Sequence, residues 1–134
     1  MDEKVTPRRI LMIDDEEDFL NLASFQFRKR GHQVMTALNC ETGLKLISTI
    51  PLDIVFLDMR MPSVDGAETL KRIREMKKDL PVIVVTAHAS DEMIKKAEAL
   101  GISGVFHKGG NLNNLQVVME VALKSAAAPP TPPA

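Results

Sequence analysis

Tryptophan and tyrosine are both absent from this 134-residue chain, and cysteine occurs once. The lone Cys40 excludes an intramolecular disulfide, a CxxC redox pair and a cysteine-rich zinc site, and one thiol fits a reducing compartment such as the cytoplasm. With no Trp or Tyr to stack on an isoalloxazine ring, and no Ser/Thr/Gly phosphate loop after the first apolar run, a flavin-dependent electron carrier is disfavoured. Charge of either sign is lacking in excess: 17 basic against 18 acidic residues give a net charge of −1. That leaves no electrostatic case for nucleic acid or an anionic membrane surface. No apolar run is long enough to cross a bilayer, and the charged first nine residues have no apolar signal core, which argues against export.

What is present is ordinary globular material, 45% hydrophobic and 26% charged, in a length that suits one domain with a real core. Short apolar runs alternate with longer amphipathic ones. RILMID (9–14), VMTA (34–37), DIVFLD (53–58), PVIVVTA (81–87) and GVFH (104–107) read as strands. Between and after them lie five helical patterns. The first spans 16–30, with a basic Arg28-Lys29-Arg30 end suited to the helix dipole and a stop at Gly31. The second starts at an Asn39 cap and runs to Ser48, weakened by Gly43. The third follows Asp65, with Glu68 at capping-box spacing. The fourth opens at Ser90 and stops at Gly101; the last carries Leu112, Leu115, Val118, Met119 and Ala122. Residues 1–125 therefore form the domain, and the Pro/Ala-rich 126–134 reads as a linker or flexible tail.

Strands without polar alternation imply a sheet covered on both faces, and right-handed β-α-β crossovers make it a doubly wound parallel α/β sheet. Function in such sheets gathers at the carboxyl ends of the strands. There the sequence puts Asp14-Asp15, Asp58, Thr86-Ala87 and Lys108. One of the paired acids can cap the first helix, which leaves the other over. Asp58 caps nothing, because the next helix begins near Asp65. Three carboxylates repel one another and raise each other's pKa. An all-oxygen, water-rich divalent site relieves that cost and suits magnesium, with manganese chemically similar. Lys108 then has the character of a partner for an incoming anion such as a phosphoryl group.

The segments "IDD", "FLDMRMPSVDG", "VTA" and "HK" resemble the receiver domain of bacterial two-component response regulators, over roughly residues 8–125. The resemblance implies a flavodoxin-like, five-stranded sheet in the order 2-1-3-4-5. It implies Asp58 as the phosphoacceptor, with Asp15 and Asp58 binding Mg2+ directly, Asp14 mainly through water, and the backbone carbonyl of Arg60 as a further ligand. It further implies a sensor histidine kinase or phosphotransfer protein as donor and Thr86 and Lys108 on the phosphoryl oxygens, with Ala87 leaving room for the group. The only chemistry implied is the domain's own aspartyl phosphorylation and dephosphorylation. Output would run through the fourth and fifth strand–helix units, to an output domain or a homodimer across the fourth helix, fifth strand and fifth helix.

Two departures from the family pattern stand out. Val105 occupies the switch position usually held by an aromatic residue, and strand alternation turns the neighbouring Phe106 to the other face. Gly109, not proline, follows Lys108, so a trans peptide is expected there. These departures favour an alternative, a degenerate receiver acting as a phosphorylation-independent interaction module; the intact acids, Thr86 and Lys108 oppose it. His88, two residues past Thr86, and Arg60 flank the site as candidates for tuning hydrolysis.

Overall fold

The computed structural model describes residues 5–61, 64–87 and 90–127, with backbone alone for Val64, Asp65, Ala126 and Ala127. Five runs of branched and apolar residues form one parallel sheet: β1 (Arg9–Ile13), β2 (Gln33–Ala37), β3 (Ile54–Asp58), β6 (Val82–Thr86) and β7 (Gly104–His107). Their order is β2-β1-β3-β6-β7, which is 2-1-3-4-5 when the strands of this sheet alone are counted. A two-residue antiparallel ladder, β4 (Arg60–Met61) with β5 (Val64–Asp65), follows β3 and has no counterpart in the sequence reading.

Alternation along each strand sorts the core into two layers. Ile10, Met12, Phe56 and Val85 face α1 (Glu17–Arg28) and α5 (Asn114–Ala127), where they meet Phe27, Leu115 and Met119. Leu11, Ile13, Leu57 and Val84 face α2 (Cys40–Thr49), α3 (Gly66–Met76) and α4 (Asp91–Leu100), with Ile47, Leu70, Ile73 and Ala97. Helices thus cover both faces, as uninterrupted apolar strands require.

Local chemistry sets the helix ends. Asn39 and Ser90 each accept a backbone N–H with their side chains, from Thr42 at 2.8 Å and Met93 at 3.1 Å. Gly31 and Gly101 end their helices at φ of 96° and 100°, a region that glycine enters without strain. Gly43, which weakens α2 by propensity, sits where a Cβ would collide with the Ile13 side chain; its absence lets α2 lie close on β1. The capping role expected of Asp65 rests on a side chain outside the described residues. α5 continues to Ala127, two residues past the expected end of the domain at 125; residues 128–134 lie outside the description.

Candidate functional site

The parallel register brings four strand ends to one edge. Asp14 directly follows β1, Asp58 is the last residue of β3, Thr86 the last of β6, and Lys108 directly follows β7. Each is anchored by backbone. The Asp14 N–H donates to the Ala37 carbonyl at 3.0 Å, and the Lys108 N–H donates to the Thr86 carbonyl at 2.9 Å. Close behind Asp58, a Cβ on Gly66 would stand 2.6 Å from the Met59 Cα, so glycine is needed for α3 to start against this loop.

Asp14 and Asp58 are both buried, at 2% exposure. Each carboxylate is oriented by the backbone two residues on: Asp14 Oδ1 accepts the Glu16 N–H and Asp58 Oδ1 accepts the Arg60 N–H, both at 2.9 Å. Both reach the Lys108 ammonium, Asp14 Oδ2 at 2.9 Å and Asp58 Oδ2 at 3.3 Å. Glu16 supplies a third carboxylate to the same ammonium. The Phe19 ring lies beneath it, its centroid 5.1 Å from Nζ.

The electrostatics follow from this crowding. Burial pushes the Asp58 carboxyl up to about 6; the Arg60 N–H opposes the shift, the charge of Asp14 adds to it, and Lys108 again opposes it. Burial disfavours charge on Lys108, but its hydrogen bonds to Glu16 and Asp14 and the fields of Asp14 and Asp58 outweigh it and hold the ammonium above its usual range. Three negative groups are thus balanced by a single positive one.

The donor set suits a divalent cation. One oxygen from each of Asp14, Glu16 and Asp58 lies within 4.8 Å of the others, and an all-carboxylate set with surplus negative charge is what a hard ion accepts. Asp15, expected to contact the ion directly, has an exposed side chain and is not a member of this cluster. The reason is local: the turn closed by the Asp14 carboxylate on the Glu16 N–H directs Asp14 inward and brings Glu16 back over Lys108. Glu16 and Phe19 were missed in the sequence; the one available signal was that both lie in the acidic run and first helical turn directly after Asp14.

Thr86 is fully buried, and its Oγ1 has no hydrogen-bond partner among the described residues. Ala87 beside it is exposed; His88 lies outside the described residues. Val105 is half-buried on β7, whereas Phe106 is buried among Leu115 and Met119, so the two face opposite ways as expected. No cis peptide occurs among the described residues, and Lys108–Gly109 is trans.

Comparison with known proteins bears on the fold and the family. The family model for the response regulator receiver domain matches residues 10–120. Sporulation initiation phosphotransferase F of Bacillus subtilis is 32% identical over 108 residues, 81% of this chain and 87% of the relative. The regulatory protein AtoC of Escherichia coli is 34% identical over 116 residues, 87% of this chain but only 25% of the relative, so the chain spans about a quarter of that protein. Among solved structures, a response regulator receiver domain protein from Methanospirillum hungatei superposes with a TM-score of 0.85 at 23% identity, covering 90% of this chain and 97% of that one.

Proposed function

The chain belongs to the response regulator receiver-domain family, the phosphoacceptor domains of two-component signalling, and from that premise we propose that Asp58 is the residue that takes up the phosphoryl group. The observation that carries this reading is the buried Asp58 carboxylate, held by the Arg60 N–H on one oxygen and faced by Lys108 on the other. Its pKa of about 6 leaves it ionised at neutral pH, and burial strips away much of the water that would blunt its attack.

The donor would be a phosphohistidine on a sensor kinase or phosphotransfer protein. A carboxylate oxygen of Asp58 attacks phosphorus in line, the P–N bond breaks with its electron pair left on the imidazole, and an acyl phosphate results. Lys108 neutralises the transferring oxygens. Thr86, whose buried hydroxyl has a proton to donate and no described acceptor, would bond a phosphoryl oxygen. Ala87, with only a methyl group, leaves the approach open. Attack by water on phosphorus later returns the carboxylate and inorganic phosphate, and Arg60 and, by its position in the sequence alone, His88 are the candidates for tuning that step.

Asp14 and Asp58, with Asp15 or Glu16 at the mouth and the Arg60 carbonyl, would hold a divalent cation, for which Mg2+ is the natural choice and Mn2+ a substitute. Bound there, the ion would offset the carboxylate repulsion and the charge on the transferring oxygens. Output would proceed by a population shift in the β6-α4-β7-α5 half, toward an output domain beyond the Pro-rich tail or toward a second receiver across α4, β7 and α5. A cytoplasmic setting suits the free thiol of Cys40, and no helix among the described residues is long and apolar enough to cross a membrane. The only turnover assigned is that of the domain's own aspartyl phosphate.

Acetyl phosphate with and without Mg2+ tests the assignment by intact mass. The wild type gains one phosphoryl group when Mg2+ is present, and Asp58→Asn gains none. A gain that persists in the variant moves the acceptor elsewhere.

A further inference from the structure

Lys108 Nζ donates to Asp14, Glu16 and Asp58, and those are the three carboxylates whose oxygens converge as a donor set for a divalent cation. Every anionic partner of the ammonium is therefore also a candidate partner of the ion, and a hard cation draws on the same negative charge. Asp58 is drawn off a second time, because its attacking oxygen becomes part of the acyl phosphate. One contact stands outside this exchange. The Phe19 ring lies under Nζ, with its centroid 5.1 Å away. A ring quadrupole attracts an ammonium and offers no oxygen to a hard ion.

The backbone leaves Lys108 in need of such a contact. Its N–H is pinned to the Thr86 carbonyl at 2.9 Å, but Gly109 and Gly110 follow. Neither has a side chain to steady the lysine, and a Cβ on Gly109 would meet nothing within 4 Å. Phe19 is well anchored by comparison. It is the third residue of α1, 9% exposed, in the core layer of Phe106, Leu115 and Met119. The lysine side chain above it is 10% exposed, so little water blunts the attraction. Packing alone does not call for an aromatic residue here. Leucine would also fill an apolar site in the first turn of a helix, but it would set a desolvated ammonium against aliphatic carbon with nothing to offset the lost water.

We propose that Phe19 is a positioning residue for Lys108: its ring keeps the ammonium in the site when a cation and a phosphoryl group draw off the carboxylates that hold it in the unmodified domain. This rests on the assignment of Asp58 as acceptor.

The full chain with isotope-labelled lysine, and beryllofluoride in saturating Mg2+ as the phosphoryl probe, provide the test. The Lys108 ε-methylene signal is identified by its loss in Lys108→Ala. In the wild type the ring should move that signal upfield of the other lysines, and the displacement should persist when Mg2+ and then beryllofluoride are added. Phe19→Leu should abolish the displacement and weaken beryllofluoride binding by roughly two- to tenfold. Leucine also alters packing, so a second variant carries a ring-fluorinated phenylalanine at position 19, which nearly keeps the shape and drains negative charge from the ring face. It should bind beryllofluoride more weakly than wild type, by a smaller factor than the leucine variant. A wild-type Lys108 signal that joins the exposed lysines on addition of Mg2+ overturns the positioning role. So does a fluorinated chain with wild-type affinity, which would make Phe19 a packing residue alone. A wild type that ignores beryllofluoride overturns the Asp58 assignment and this role with it, whereas a responsive wild type whose affinity survives Phe19→Leu removes the role of Phe19 alone.

Discussion

Oδ2 of Asp58 lies 3.3 Å from Nζ of Lys108, while Oδ1 of the same carboxylate accepts the Arg60 N–H at 2.9 Å. Both oxygens are therefore served, yet the carboxyl still titrates near 6, because burial outweighs its two partners. Charge at Asp58 is held in the fold at a cost, and that cost is testable.

The first prediction concerns stability against pH. The Asp58 pKa is about 6 in the folded chain, against the ordinary 3.8. Well below pH 3.8 the group is protonated in both states and imposes no penalty. As pH rises from 4 to 6 the unfolded chain gives up its proton first, so stability falls; above 6 the loss is complete. Asp58→Asn lacks this titration. It should be more stable than wild type by about 1–3 kcal/mol at pH 7.5, and the advantage should vanish near pH 3.5. Urea melts across that range measure it, and a pH-independent difference would contradict the burial argument.

Lys108 provides the opposite case. Its ammonium balances three carboxylates from a side chain only 10% exposed. Lys108→Ala should destabilise the metal-free fold by about 2–4 kcal/mol at neutral pH, as expected when one member of a buried ion pair is removed. The loss should shrink as pH falls through 6 and Asp58 takes up a proton. Added Mg2+ should raise the melting temperature of the variant more than that of the wild type, because the ion then supplies charge that the lysine no longer does. Thermal scans with and without Mg2+ decide it; equal Mg2+ responses would place the cation away from these carboxylates.

The buried strands are what the sequence declares most plainly. "IVFL" and "VIVV" are apolar throughout, so they declare buried strands, and buried strands alternating with helices leave little but a parallel sheet. Asp58, Thr86 and Lys108 then converge without any knowledge of side-chain contacts. Strand order was legible through the family resemblance, not through pattern. The acidic run was the opaque part. Five successive acids, Asp14 to Asp18, carry the same charge, and which of them faces inward depends on a turn two residues long. The Asp14 carboxylate closes that turn on the Glu16 N–H, which buries Asp14, exposes Asp15 and lays Glu16 over Lys108. The β4–β5 ladder was invisible for a related reason: strands of two residues have no period to detect. Phe19 is buried on the inner face of α1, but nothing in helical spacing says that its ring sits under an ammonium.

The last prediction turns on Thr86. A buried hydroxyl with no partner is a cost, on the order of 1–3 kcal/mol when fully desolvated, and Thr86 Oγ1 is in that position among the described residues. Valine has nearly the same shape and no polar atom to satisfy. Thr86→Val should therefore leave the unmodified domain as stable as wild type or about 1 kcal/mol more so, the reverse of what an ordinary buried threonine would give. The same variant should bind beryllofluoride more weakly, since the hydrogen bond from Thr86 would be formed only in the phosphoryl-like state. Opposite signs in the two measurements, denaturant melts of the free domain and beryllofluoride titration in Mg2+, are what distinguish a hydroxyl kept for the modified state from one that merely fills a strand. A variant that loses stability and keeps full beryllofluoride affinity would assign Thr86 to the core of β6 alone.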